Sequence, residues 1–241
     1  MSGPATIRYG DHADQVADLR VPSRAGPHPV AVLLHGGFWR EPYRRDRMDP
    51  LAEDLTARGW ATWNLEYRRV GGAGGWPATL DDVATGITAL ADQPVDLARL
   101  LLIGHSAGGH LALWAASRAP AALVVSLGGV SDLEEAAELG LGDGAAQELL
   151  GGTPAEVPER YAAASPARLL PLRAPLLLVH GDADDRVPVA TARRFSALAT
   201  AAGTPCELLE LPGVDHFAVI DPAASPWAAT LAALANLLTP P

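Results

Sequence analysis

The chain has 241 residues, 49% of them hydrophobic, which suits one α/β domain with a full core. Its 28 acidic and 18 basic residues give a formal net charge of −10, which argues against a nucleic-acid partner. No run of about 18 apolar residues is present, so neither a transmembrane helix nor a membrane partner is expected. Residues 1–8 lack the apolar core of a signal peptide. The single Cys206 cannot form an internal disulfide and is read as a buried structural thiol, so a cytoplasmic location is expected.

Residues 6–9 and 16–21 read as two short strands of an antiparallel hairpin, with Asp11, His12 and Asp14 in the turn between them. A Pro/Gly loop at 23–29 leads to the aliphatic run 30–34, which predicts a strand buried on both faces. That run enters His35-Gly36-Gly37-Phe38-Trp39, where two small residues let backbone approach a ligand closely. Arg40, Arg44, Arg45 and Arg47 follow, against only Glu41 and Asp46, and Arg68-Arg69 form a second basic pair. Such runs read as solvated loops. The alternative is that one of these arginines meets an anionic substrate group. A helix is predicted over 49–58, with Asp49 as N-cap, Pro50 in the first turn and Gly59 as the stop. A strand at 60–65 follows. The glycines of 71–75 lack the Gly-Lys-[Ser/Thr] ending of a phosphate loop and read as a flexible surface loop. A helix at 79–91 completes this half.

The apolar run 100–103 predicts a strand, and residues 106–118 predict a helix. Between them stands Gly104-His105-Ser106-Ala107-Gly108. Strand, tight turn and helix around G-x-S-x-G define a nucleophile elbow, in which the serine projects from the end of a sheet. A glycine-rich turn with an exposed serine is the alternative. Ala107, next to the serine, would supply an oxyanion-hole amide by position. A strand at 121–126 follows, ending at Gly128-Gly129. Residues 131–171 break the alternation, punctuated by four prolines. They read either as a small lid-like insertion above the elbow or as a packing insertion. Strands at 174–180 and 207–211 and helices at 189–202 and 225–238 complete the pattern. Alternating strands and helices from residue 30 onward imply a mostly parallel sheet. No internal repeat or linker interrupts it, so residues 1–241 read as a single domain.

A serine hydroxyl needs a base to take its proton, and that base needs a carboxylate to orient it. Three acids follow the strand at 174–180 (Asp182, Asp184 and Asp185), and His180 and His216 are candidate bases. His105 and His110 beside the elbow read as packing or hydrogen-bonding residues. No spacing such as H-E-x-x-H occurs, so neither a metal nor another cofactor is expected.

Four motifs occur in order at predicted strand ends: His35-Gly-Gly-Phe-Trp39, Gly104-His-Ser-Ala-Gly-Gly-His-Leu111, His180-Gly-x-x-Asp184-x-x-Val-Pro188 and Gly213-x-x-His216-Phe217. On these motifs the chain resembles α/β-hydrolase-fold serine hydrolases from residue 30 onward, and is similar to small bacterial esterases and arylformamidases (kynurenine formamidases). The resemblance implies an α/β-hydrolase fold with helices on both faces of the sheet, and a triad of Ser106, Asp184 and His216. It adds the Gly37 and Phe38 amides to that of Ala107 in the oxyanion hole. By their position after Gly37, Trp39 and Arg40 are expected at the substrate pocket. The expected substrate is a small ester, with N-formylkynurenine as the formamide alternative. A non-catalytic binding protein of the same fold is the alternative of another class.

Overall fold

The alternating apolar runs assemble into one eight-stranded sheet. A computed structural model describes residues 3–238, so Met1 and Ser2 of the leader expectation lie outside the described residues. In chain order the elements are β1 (Ala5–Arg8), β2 (Val16–Arg20), β3 (His28–Leu34), α1 (Asp49–Ala57), β4 (Ala61–Leu65), α2 (Ala78–Thr88), β5 (Val95–His105) and α3 (Ala107–Ala115). Then come β6 (Leu123–Leu127), α4 (Leu133–Glu138), α5 (Ala145–Leu150), α6 (Pro158–Ala164), β7 (Leu176–Gly181), α7 (Val189–Ala201), β8 (Cys206–Leu211) and α8 (Ser225–Leu238). The strand order is β1-β2-β4-β3-β5-β6-β7-β8. β1 and β2 pair antiparallel, as do β2 and β4, and from β4 to β8 every pairing is parallel.

The continuous apolar run of β3 has a direct physical cause, because the strand is buried on both faces. Val30, Val32 and Leu34 pack with Leu80 and Val83 of α2 and Leu111 of α3. Ala31 and Leu33 point the other way, toward Leu51 and Leu55 of α1 and Trp227 of α8. Alternate side chains of a strand feed opposite faces, so one run fills two cores. Among the described residues no helix is long and apolar enough to cross a membrane.

Two local expectations change, and for residues 131–171 the packing alternative holds. Asp49 does not cap its helix. A 3₁₀ turn, Arg45–Met48, runs straight into α1, so Asp49 is its first residue and Met48 takes the cap position. The Asp49 carboxylate instead accepts from Arg20 (2.9 Å) and Asn64 (3.0 Å). The glycine loop is exposed at residues 71–73 but tied down: the Arg69 carbonyl accepts from the amides of Gly72 and Gly74. Residues 131–171 form α4, α5 and α6, and Leu133, Leu149, Leu150 and Tyr161 are buried in the core beside α3.

Candidate active site

The carboxyl ends of β3, β5, β7 and β8 lie along one edge of the parallel sheet, where ligand sites of such folds form. Ser106 follows β5 directly. Its backbone is at φ 56° and ψ −119°, a left-handed conformation that costs a non-glycine residue on the order of 1–3 kcal/mol. The turn is over-determined: the Ser106 amide donates to the Leu127 carbonyl (2.9 Å), and its carbonyl accepts from the amides of His110 (3.2 Å) and Val130 (3.3 Å). A Cβ on Gly104 would collide with the Gly108 carbonyl, and one on Gly108 with the Leu34 carbonyl. The two glycines let β3, β5 and α3 close around the serine. Ser106 is only 2% exposed. Ala107 opens α3, so its N–H has no carbonyl partner within the helix.

Asp184 and His216, 32 residues apart, meet between the loops after β7 and β8. His216 Nδ1–H donates to Asp184 Oδ2 at 2.6 Å, which leaves Nε2 available to take a proton. Asp184 Oδ1 accepts from the amides of Arg186 (2.9 Å) and Val187 (2.8 Å). His180 Nε2–H donates to the Val187 carbonyl (2.8 Å) and lies 3.3 Å from Asp184 Oδ2. Burial pushes the Asp184 pKa up, but the bonds from His180, His216 and Val187 prevail and hold it well below the usual carboxylate range. Asp182 serves the turn by accepting from the Gly213 amide (2.6 Å), and Asp185 pairs with Arg186 at 3.4 Å. Gly128 gives the pair room, since a Cβ there would lie 3.2 Å from Asp184 Oδ2 and 3.3 Å from His216 Nδ1. His105 Nε2–H donates to the His216 carbonyl (2.9 Å), bracing the His216 backbone from behind. Burial pushes the His105 pKa down to about 3, so this brace is a neutral imidazole. Among the described residues no hydrogen bond joins Ser106 Oγ to His216. Such bonds are often loose in a free enzyme and tighten when substrate binds.

Gly36, Gly37 and Phe38 follow β3. Gly37 (φ 116°), Phe38 (φ 52°) and Trp39 (φ 58°) are all left-handed, so the chain curls back sharply. A buried ionic network lies beneath them. The ring nitrogens of His35 face the Gly36 carbonyl (2.8 Å) and Glu66 Oε1 (2.9 Å), and the ring stacks on Tyr67 with centroids 4.3 Å apart. Tyr67 Oη–H donates to the His35 carbonyl at 2.8 Å. Glu66 also binds Arg69 and accepts from the Arg45 amide (3.1 Å). Burial alone would raise the Glu66 pKa, but His35, Arg69 and the Arg45 amide outweigh it and hold the carboxyl below its ordinary value. Arg69 is fully buried and reaches Asp14 (3.3 Å) and Glu41 (3.4 Å), so it belongs to the interior and not to a surface basic pair.

The three loops enclose a cavity of about 190 Å³. Gly36, Gly37, Phe38, Tyr43 and Arg47 line it from the β3 side, His105 and Ser106 from the elbow, and Arg186, His216 and Phe217 from the loops after β7 and β8. Trp39 and Arg40, expected at the pocket, do not line it. The left-handed turn sends Trp39 into the core, where its Nε1–H donates to His110 Nδ1 (3.2 Å), and Arg40 pairs with Glu148 at 2.7 Å. His110 in turn donates from Nε2 to the Ala164 carbonyl (3.0 Å), a packing role. Ala107 is buried and is not among the lining residues. None of residues 131–171 lines the cavity. They approach it through Phe38, whose ring lies against Gly142. Tyr43, Arg186 and Glu66 were not singled out from sequence as site residues, and Arg47 entered only as one of the four arginines of the 40–47 run, any of which could meet an anionic substrate group. The position of Glu66, directly after a predicted parallel strand, was the one available signal.

A mostly parallel eight-stranded sheet with a serine elbow after its central strand defines the α/β-hydrolase fold. The chain belongs to the BD-FAE family, whose model matches residues 17–198. Among solved structures, Thermogutta terrifontis esterase 2 phosphoramylated by tabun superposes with a TM-score of 0.80 at 22% identity, covering 99% of this chain and 94% of that one. A truncated form of a carbohydrate esterase from gut microbiota gives a TM-score of 0.83 at 18% identity, covering 98% and 99%. In sequence, esterase LipC of Mycobacterium tuberculosis is 29% identical over 237 residues, covering 87% of this chain and 58% of LipC. A kynurenine formamidase of Danio rerio is 28% identical over 107 residues, covering 44% of this chain and 36% of the formamidase. The chain thus spans about half the length of the curated relatives it matches.

Proposed function

We propose that the chain is a single-domain serine hydrolase that cleaves small carboxylic esters by acyl transfer. Ser106 is the nucleophile, His216 the general base and Asp184 the residue that orients it. The observation that carries this reading is the 2.6 Å bond between His216 Nδ1 and Asp184 Oδ2, in a cavity that His216 shares with a serine on a left-handed strand-to-helix turn. His216 Nε2 takes the Ser106 proton as Oγ attacks the carbonyl carbon. The amides of Gly37, Phe38 and Ala107 stabilise the oxyanion, each worth roughly 3–4 kcal/mol in the transition state. His216 then gives its proton to the departing alcohol. A water, deprotonated by His216, releases the acid from the acyl-enzyme. Ionised Asp184 holds the Nδ1–H tautomer through both steps. The esterases among the relatives support this class of reaction.

Ser106→Ala tests it directly. Turnover of short 4-nitrophenyl esters is expected to fall by several orders of magnitude with the thermal unfolding temperature retained. Activity that survives in this variant overturns the assignment. Kynurenine formamidases among the relatives favour a second reading, hydrolysis of N-formylkynurenine by the same residues. Comparing kcat/KM for that formamide and for short esters decides between them, and undetectable formamide turnover removes the second reading.

A further inference from the structure

The chain carries an excess of ten negative charges, yet the charged side chains that line the cavity around Ser106 are cationic. Of its ten lining residues two are arginines, Arg47 and Arg186, and none is Asp or Glu. The other arginines of the 40–47 run are held by carboxylates: Arg40 by Glu148 (2.7 Å), Arg44 by Asp14 (2.9 Å) and Arg45 by Asp18 (2.8 Å). Arg47 differs. Among the described residues it has no carboxylate partner, and its guanidinium lies over the Tyr43 ring, 4.6 Å from the centroid. An aromatic face holds the flat side of a guanidinium and leaves its N–H edge free to bind. Arg186 comes from the opposite loop. Its amide is committed to Asp184, but among the described residues its side chain pairs only with exposed Asp185 at 3.4 Å, a pairing worth about 0–1 kcal/mol. Both guanidinium groups are therefore available to an anion entering the cavity.

We infer that the substrate of this site carries a carboxylate, received at the cavity by Arg47 and Arg186 while its ester or formamide carbonyl lies at Ser106. The inference rests on the hydrolase reading and adds the substrate's charge to it. A guanidinium matches a carboxylate with two parallel N–H···O bonds and stays charged at any working pH. The acidic remainder of the surface repels free anions, so the local positive charge selects for a substrate that also fits the cavity. The preference is electrostatic and weakens with salt, because the screening length falls from about 10 Å at 0.1 M to about 3 Å at 1 M.

Matched esters test the inference. On the acyl side, 4-nitrophenyl hemisuccinate is compared with 4-nitrophenyl pentanoate. On the alcohol side, 4-acetoxybenzoate is compared with phenyl acetate. The ratio of kcat/KM, anionic over neutral, is expected to exceed ten for at least one pair at low salt. It should fall severalfold in 1 M NaCl and at least tenfold in the Arg47→Gln, Arg186→Gln double variant. A ratio near or below one for both pairs overturns the inference, as does a ratio that the double variant leaves unchanged. A second measurement separates this failure from failure of the hydrolase reading. Calorimetry on Ser106→Ala compares binding of the hemisuccinate ester with that of the pentanoate ester, with and without the two arginines. Tighter, arginine-dependent binding of the hemisuccinate without wild-type turnover would leave the carboxylate site standing and remove the hydrolase. No preference in either measurement removes the carboxylate site.

Discussion

The two sides of the cavity are built from different interactions. On the β3 side, Gly36 to Phe38 present a backbone that is left-handed at Gly37 and Phe38, and that backbone stands on the fully buried charges of Glu66 and Arg69. On the other side, the loops after β7 and β8 present side chains, Asp184 and His216, held by a few amide and imidazole hydrogen bonds. An amide donor cannot be chosen by side-chain type, so its position must come from a rigid support. A base and its carboxylate are chosen by type and need only correct orientation. Damage to the first side should therefore appear mainly as lost stability, and damage to the second mainly as lost rate.

The largest expected effect sharpens the second half of that contrast. Asp184→Asn keeps the shape of the loop but favours the wrong tautomer of His216. kcat is expected to fall on the order of 10⁴-fold with little change in KM, read from steady-state kinetics on a 4-nitrophenyl ester. A loss below tenfold would assign the orienting role elsewhere. Next comes Glu66→Gln on the β3 side, which leaves Arg69 and His35 without their shared buried anion. Unfolding free energy in urea is expected to drop by about 3–5 kcal/mol. A variant with wild-type stability and lost activity would contradict the division of labour drawn above.

The smallest effect is a pH dependence. Burial lowers the pKa of His110 to about 4 from an ordinary value of 6.5. Above pH 6.5 both folded and unfolded states hold it neutral, and it contributes no pH slope. Between pH 6.5 and 4 the unfolded chain binds a proton that the folded chain refuses, so stability falls as the pH is lowered, by up to about 1.4 kcal/mol per unit. His105, lowered to about 3, acts with the same sign over a wider range. Denaturant melts of His110→Gln should show a shallower loss from pH 6.5 to 4.5 than wild type. An identical slope would mean that His110 is charged in the folded protein.

The parallel core and the strand-end motifs were legible because they follow from local chain chemistry. A two-sided strand must be apolar throughout, and a serine elbow must have glycines two positions to each side. Residues that depend on where a loop turns were not legible. Trp39 follows a phenylalanine that lines the cavity, yet two consecutive left-handed residues send it into the core. Arg47 is one arginine among four in sequence and is distinguished only by what the fold brings near the other three. The partners of Glu66, which include Arg69 close by and His35 31 positions away, become visible only when β3 and β4 pair. Asp49 resembled a cap because nothing in the sequence announces the 3₁₀ turn that precedes it.

The central claim is that Ser106 is activated by His216. A fluorophosphonate probe tests it most directly, because the reagent forms a covalent bond only with an activated serine. Peptide mapping of the labelled protein is expected to find the adduct on Ser106, with labelling lost in His216→Ala. An unlabelled wild-type chain, or equal labelling in His216→Ala, would contradict the account and favour a binding protein of the same fold.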